Sequence, residues 1–234
     1  MEKLIILVSG RKGSGKNTFC DQIVGIAKAR DPRPFLVDVL QNDRTLARMG
    51  CLHSFSWIIL SFAEPIRRFC EEVFGIPAEH LYGTEADKNR PTHLRWEDVP
   101  GYDRLWFKSG YMTVREVMQV FGTDIVRAWD ENAWARAAAV KAMESEARLV
   151  LFSDLRFPNE MEAFEAIRDD GRAAVKFVRL LRRALADDNH ESEKAMDGML
   201  PNRWDMIVPG NLTVNGQRDY MTPRVTCWLE EAGL

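Results

Sequence analysis

Residues 8 to 19 read VSGRKGSGKNTF. The spacing Gly10-x-x-x-x-Gly15-Lys16, between an apolar run and a helical pattern, is that of a loop that wraps a phosphate group. Glycine lets the backbone turn tightly enough for several N–H groups to point at one anion. A helix starting beside the loop adds partial positive charge at the same spot. Lys16 then reaches the outer phosphates of a triphosphate as a point charge. The candidate donor contacts are Gly10, Lys12, Gly13, Ser14, Gly15, Lys16, Asn17 and Thr18. In the commonest form of this loop a hydroxyl directly after the lysine ligates Mg²⁺. Here Asn17 stands there and Thr18 follows.

Other residues suited to phosphate chemistry lie downstream. In SDLR, Asp154 falls at the carboxyl end of a buried strand, where ligands bind in open α/β sheets. It could hold a metal-bound water or orient an acceptor. Arg156, two residues on, has a guanidinium that matches a phosphate bidentately. Arg115, Gln119 and Arg127 are spaced by four and eight, so one helical face could carry all three. Arg67 and Arg68 are adjacent, and the sequence does not choose which reaches a phosphate and which faces solvent. Trp129 and Trp134 read as core or hinge packing. RWEDVPGYDRLWFKSGY interleaves Trp96, Tyr102, Trp106 and Phe107 with Arg95, Arg104 and Lys108. Such mixtures can stack exposed bases, but Glu97, Asp98 and Asp103 weigh against a nucleic-acid groove.

These residues need elements to position them. Leu4 to Val8, Phe35 to Leu40, Phe55 to Phe62, Arg148 to Ser153, Ala173 to Leu181 and Asp205 to Val208 read as strands, mostly apolar on both faces. Helical patterns cover Asn17 to Arg30, with Phe19, Ile23, Ile26 and Ala27 on one face, then 64 to 75, 160 to 169 and the stretch after Gln217. A further helical stretch over 113 to 147 is interrupted near Gly122 and Thr123. Residues 76 to 112 read as an irregular insertion and 182 to 200 as a charged segment. Alternating strands and helices imply an α/β fold with a parallel sheet covered on both faces.

The 234 residues, 46% hydrophobic and 29% charged, suit one such domain. A net charge of −3 lacks the cationic excess of a duplex-binding protein, so any anion site is local. Four cysteines without close pairing suggest reduced cytosolic thiols. The sequence shows neither a secretory signal nor an apolar run of membrane-spanning length. The expectation is a cytoplasmic protein.

The Gly-Lys-x-Thr ending of the loop resembles adenylate kinase and other nucleoside monophosphate kinases, in which phosphates and water hold most of the metal. GRKGSGKNT, FAEPIRR at 62 to 68, TVREVMQVFGTDIVR at 113 to 127, SDLRFPNE at 153 to 160 and NHESE at 189 to 193 occur in that order. Together they resemble the deoxynucleoside monophosphate kinases encoded by tailed bacteriophages, over about residues 3 to 215. The resemblance implies a P-loop kinase fold with a five-stranded, mostly parallel sheet. It implies one domain over 1–234, an acceptor-binding helical insertion over about 64–147 and a lid-like segment over about 182–200.

The same resemblance implies ATP and Mg²⁺ as cofactors, a small deoxynucleotide as substrate, and a host-cell cytoplasmic setting. Arg127 would clamp the acceptor phosphate, with Gln119 on a base edge and Arg67, Arg68, Arg115, Asp154 and Arg156 around the monophosphate. Lys16, Asp154, Arg127 and Arg183 would form the catalytic set. Arg182 is an alternative to Arg183 over the transferring phosphoryl group, and His190 is a lid or nucleotide contact. His190 and Glu193 are too few ligands for a metal site; Asp154, through water, is the metal candidate. The rival readings are a same-fold kinase acting on a hydroxymethylated base in DNA, on dephospho-coenzyme A or on phosphomevalonate, and a non-kinase ATP-binding module. Preferred base and a homodimer are both left open.

Overall fold

The computed structural model describes residues 3–30, 48–52, 55–99, 108–181 and 194–234. The chain divides into two compact units, one of Met1–Phe62 with Ala135–Leu234 and one of Ala63–Trp134.

The first unit is built on β1 (Leu4–Gly10), β2 (Arg48–Leu52), β3 (Phe55–Leu60), β6 (Leu149–Leu155), β7 (Ala174–Leu180) and β8 (Met206–Val208), in the order β2-β3-β6-β1-β7-β8. β3, β6, β1, β7 and β8 run parallel, and β2 adds an antiparallel sixth strand at one edge. The five-stranded parallel sheet matches the expectation. The sixth strand, RMGCL, was not anticipated because it has neither alternation nor a β-branched run. The expected strand over Phe35 to Leu40 lies outside the described residues.

Side chains alternate across β1. Leu4, Ile6 and Val8 meet Phe19 and Ile23 of α1 (Lys16–Arg30) and Val225 and Trp228 of α8 (Val214–Glu231). Ile5 and Leu7 face the opposite layer, with Ala138 and Ala142 of α6 (Ala133–Glu144) and Met161 and Phe164 of α7 (Pro158–Asp169). Helices therefore cover both faces of the sheet. Lys3 Nζ donates to the carbonyls of Ala142 (2.7 Å), Met143 (3.0 Å) and Ser145 (2.6 Å), satisfying acceptors that the end of α6 leaves open.

The second unit holds α2 (Glu64–Glu72), the one-turn helices α3 (Ala78–Leu81) and α4 (Glu85–Lys88), and the antiparallel pair β4 (Pro91–Arg95) and β5 (Tyr111–Thr113). It ends in α5 (Val114–Gln119) and a π-helical stretch, Val120–Arg127. Its core is Cys70, Ile76, Leu81, Trp96, Met112, Val114, Val117 and Val120. Trp96 is 3% exposed, with Lys108 Nζ 4.8 Å from its ring, so this member of the aromatic-basic segment is a core residue. Residues 100–107, which hold Tyr102, Trp106 and Phe107, lie outside the described residues.

Candidate active site

β1 ends at Gly10 and α1 begins at Lys16, so the intervening loop joins a buried strand to a helix amino terminus. Gly13 (φ 75°) and Gly15 (φ 89°) take left-handed backbone that a side chain disfavours. Gly10 is needed for space: a Cβ there would lie 2.5 Å from Ser14 Oγ and 3.1 Å from the Leu180 carbonyl oxygen. Ser14 is 2% exposed and packs inside the loop. Lys16 Nζ donates to the carbonyls of Gly10 (2.6 Å) and Arg11 (2.9 Å), which holds the ammonium across the loop. Lys12 is half-buried, and Asn17 and Thr18 are exposed on the first turn of α1.

Asp154 sits on β6, whose neighbours in the sheet are β1 and β3. Its carboxylate accepts from Ser61 Oγ at 2.5 Å and from the Phe62 N–H at 2.9 Å, both just past the end of β3. Two donors fix its orientation. Behind it, Glu160 is 4% exposed and accepts from the N–H groups of Arg156 (2.8 Å) and Phe157 (3.0 Å). That cap at the start of α7 sets the turn carrying Arg156, whose side chain is half-buried.

In the second unit the structure separates the adjacent arginines. Arg68 is 55% exposed and pairs with Glu72 at 3.4 Å. Arg67 is 12% exposed, with Nη1 4.0 Å from Glu64 Oε2 and its guanidinium 5.6 Å from the centre of the Tyr82 ring. Glu64, 4% exposed, accepts from the Tyr82 hydroxyl at 3.2 Å. Burial and then the Glu64 carboxylate raise the Tyr82 pKa above the ordinary phenol value, keeping it a donor. Arg115 donates to Glu85 Oε2 at 2.5 Å and to Asn89 Oδ1 at 3.4 Å, tying α5 to α4.

The stretch carrying Arg115, Gln119 and Arg127 is not α-helical throughout: 120–127 is π-helical, with more residues per turn. Gly122 has no room for a Cβ, which would lie 2.8 Å from Ile66 Cδ1, and its carbonyl accepts from Trp134 Nε1 at 2.8 Å. Gln119 and Arg127 are half-buried at the two ends of this stretch. Trp134 is a packing residue, as expected. Trp129, expected to pack, is 91% exposed.

The fold and the loop are those of a phosphate-binding protein, and comparison narrows the reading. Residues 67–217, well over half of the chain, match the family model described as deoxynucleotide monophosphate kinase. The chain belongs to the deoxynucleotide monophosphate kinase family. It is accordingly a nucleotide monophosphate kinase, a transferase. It is also 26% identical over 188 residues to a protein of Acanthamoeba polyphaga mimivirus named "Putative deoxynucleotide monophosphate kinase". That match covers 74% of this chain and 85% of the viral protein. The glycine loop precedes the span of the family match, so its assignment rests on its own geometry.

Among the residues singled out from the sequence of this deoxynucleotide monophosphate kinase family member, Arg182, Arg183 and His190 lie outside the described residues. Sequence reading missed Ser61, Glu64, Tyr82 and Asp197. Ser61 and Glu64 were inside or beside a recognised motif, but nothing in residue type marked them as partners of Asp154 or Arg67. No helix among the described residues is long and apolar enough to cross a membrane.

Proposed function

We propose that this chain transfers the γ-phosphoryl group of ATP to a deoxynucleoside monophosphate, giving the diphosphate and ADP. The observation that carries the reading is the strand–glycine loop–helix unit, with Lys16 bound across the loop and Asp154 fixed on the next parallel strand. The loop N–H groups and Lys16 hold the donor phosphates. Arg67 and Arg127 bind the acceptor phosphate, Gln119 meets the base, and Arg156 adds charge beside the phosphates. Arg68 and Arg115, which pair with Glu72 and Glu85, are further candidates for the acceptor phosphate. The acceptor oxygen is anionic and nucleophilic, so the protein contributes positioning and charge neutralisation more than proton transfer.

The residues fit Mg²⁺ in the manner of a metal that keeps most of its waters. No group of three His, Cys, Asp or Glu among the described residues could enclose a metal ion. Asp154 would hold it through water, and the metal would neutralise charge between the outer phosphates. Arg182 and Arg183 complete the proposed set by sequence position alone.

ADP release should be measured from ATP and Mg²⁺ against each deoxynucleoside monophosphate, hydroxymethylated forms included, with single- and double-stranded DNA alongside. Turnover with one or a few monophosphates is expected. Phosphate incorporated only into DNA would move the acceptor from the nucleotide pool to the polymer.

A further inference from the structure

The glycine loop has an anchor that the proposed reaction does not use. Asp197 Oδ2 accepts from Arg11 Nη2 at 2.6 Å, and Asp197 Oδ1 accepts from Arg179 Nη2 at 2.6 Å. Arg11 is the residue after Gly10, within the loop itself. Arg179, on β7, is 9% exposed, and its other end donates to Ser9 Oγ at 2.8 Å. Ser9 is 1% exposed and immediately precedes the loop. The Arg179 guanidinium also lies 5.7 Å from the centre of the Trp204 ring. The turn bearing Asp197 is secured by Met196, 3% exposed in the core, and by Asp197 N–H donating to the Lys194 carbonyl at 2.9 Å.

The contacts form a chain from core to loop. Buried Arg179 needs a counter-charge, because an uncompensated guanidinium out of water is costly. Asp197 supplies it, and its second oxygen then holds the Arg11 side chain. Lys16 holds Arg11 from the other end, through its carbonyl. One loop residue is therefore bound at both side chain and main chain before any ligand arrives.

We propose that Asp197 is a positioning residue that preorganises the phosphate loop through Arg11, so that binding the donor triphosphate need not order it. The inference rests on the donor-site reading above. Immobilising one rotamer-rich side chain costs roughly 0.5–1.5 kcal/mol, so losing the anchor weakens donor binding roughly 2- to 12-fold.

The test is calorimetric titration of Mg²⁺–ATP into wild type, Lys16→Ala, Asp197→Ala, Arg11→Ala and the Asp197→Ala/Arg11→Ala double variant, with thermal melting and steady-state kinetics. Arg11→Ala leaves the Arg179–Asp197 pair intact, so it reports even if Asp197→Ala folds poorly. Both single variants should weaken ATP binding by similar factors, and the double variant by no more than the stronger single one, since both break one path. For Asp197→Ala, KM for ATP should rise while KM for the monophosphate and kcat at saturating ATP stay within about twofold. Unchanged or tighter ATP binding in folded Asp197→Ala and Arg11→Ala, with binding lost in Lys16→Ala, overturns the inference alone. Wild-type affinity in Lys16→Ala overturns the donor-site reading and this inference with it.

Discussion

Each unit contains a cluster of three phenylalanines, and the two clusters differ in kind. In the first unit Phe62, Phe152 and Phe164 are 4%, 0% and 0% exposed, with ring centres 4.9–5.9 Å apart in tilted or edge-on pairs. In the second, Phe69, Phe74 and Phe121 are all half-buried, and Phe69 lies flat on Phe121 at 4.0 Å. The first cluster is enclosed between a parallel sheet and a helix layer. The second lies on short helices and a π-helical stretch, and its rings stay half-buried. A parallel sheet covered on both faces surrounds more of its side chains than short helices and a two-stranded pair do, although the second unit still buries Cys70, Leu81 and Val114 fully. Close ion pairs occur in both units: Arg179 is bound by a hydroxyl and a carboxylate in the first, and Arg115 by Glu85 at 2.5 Å in the second.

The contrast can be broken by substitution. The largest expected effect is on turnover. Lys16→Ala should lower kcat/KM by about 10³-fold or more, as expected for removing a cation that stabilises transition-state charge, without altering the melting curve. A variant with appreciable kcat would remove Lys16 from the site. Next, Phe152→Ala should destabilise the first unit by about 3–5 kcal/mol, whereas Phe69→Ala, already half-exposed, should cost clearly less. Equal losses in chemical denaturation would remove the distinction between the clusters.

Arg127→Ala should raise KM for the monophosphate about tenfold or more while KM for ATP holds, because a charged hydrogen bond is worth about 1.5–3 kcal/mol. Wild-type acceptor kinetics would exclude Arg127. Gly122→Ala should cost about 1 kcal/mol, since the clash falls on the flexible end of Ile66 and the side chain can shift. A larger loss would mean the π-helical stretch itself depends on this glycine.

The smallest effect sharpens the burial of the second unit. Burial pushes the Cys70 thiol up to about 12, so the folded protein keeps it neutral. The unfolded chain ionises it near its ordinary 9.0, so this contribution to stability is full below that pH and is lost on rising towards 12. Alkylation at pH 8 mapped by mass spectrometry should label exposed Cys227 and spare Cys20 and Cys70. Rapid labelling of Cys70 would show that the second unit opens locally.

How much could be read in advance differs between the units for one reason. Leu4 to Val8, the glycines and Lys16 carry their meaning in adjacent residues, so period, spacing and order were enough to read the strand, the loop and the helix. The same held for Phe19, Ile23, Ile26 and Ala27, which the structure buries together. By contrast, Arg67 and Arg68 are alike in sequence and were separated only by packing against Glu64 and Tyr82. The π-helical winding over 120–127 carries no local signal in residue type, and the contacts of Gly122 with Ile66 and Trp134 are visible only in the structure.

The sequence by itself determined the α/β class and the phosphate loop, because each rests on contiguous patterns whose physics is local; the kinase expectation came from the resemblance carried by motifs spread along the chain. Only the tertiary structure decided that Asp154 is oriented by Ser61 and Phe62, that Trp129 is exposed, and that Asp197 joins Arg11 to Arg179. Those pairings span tens to nearly two hundred residues of chain. Polar partners at such distances leave no periodic trace, since a hydrogen bond constrains two positions and nothing between them.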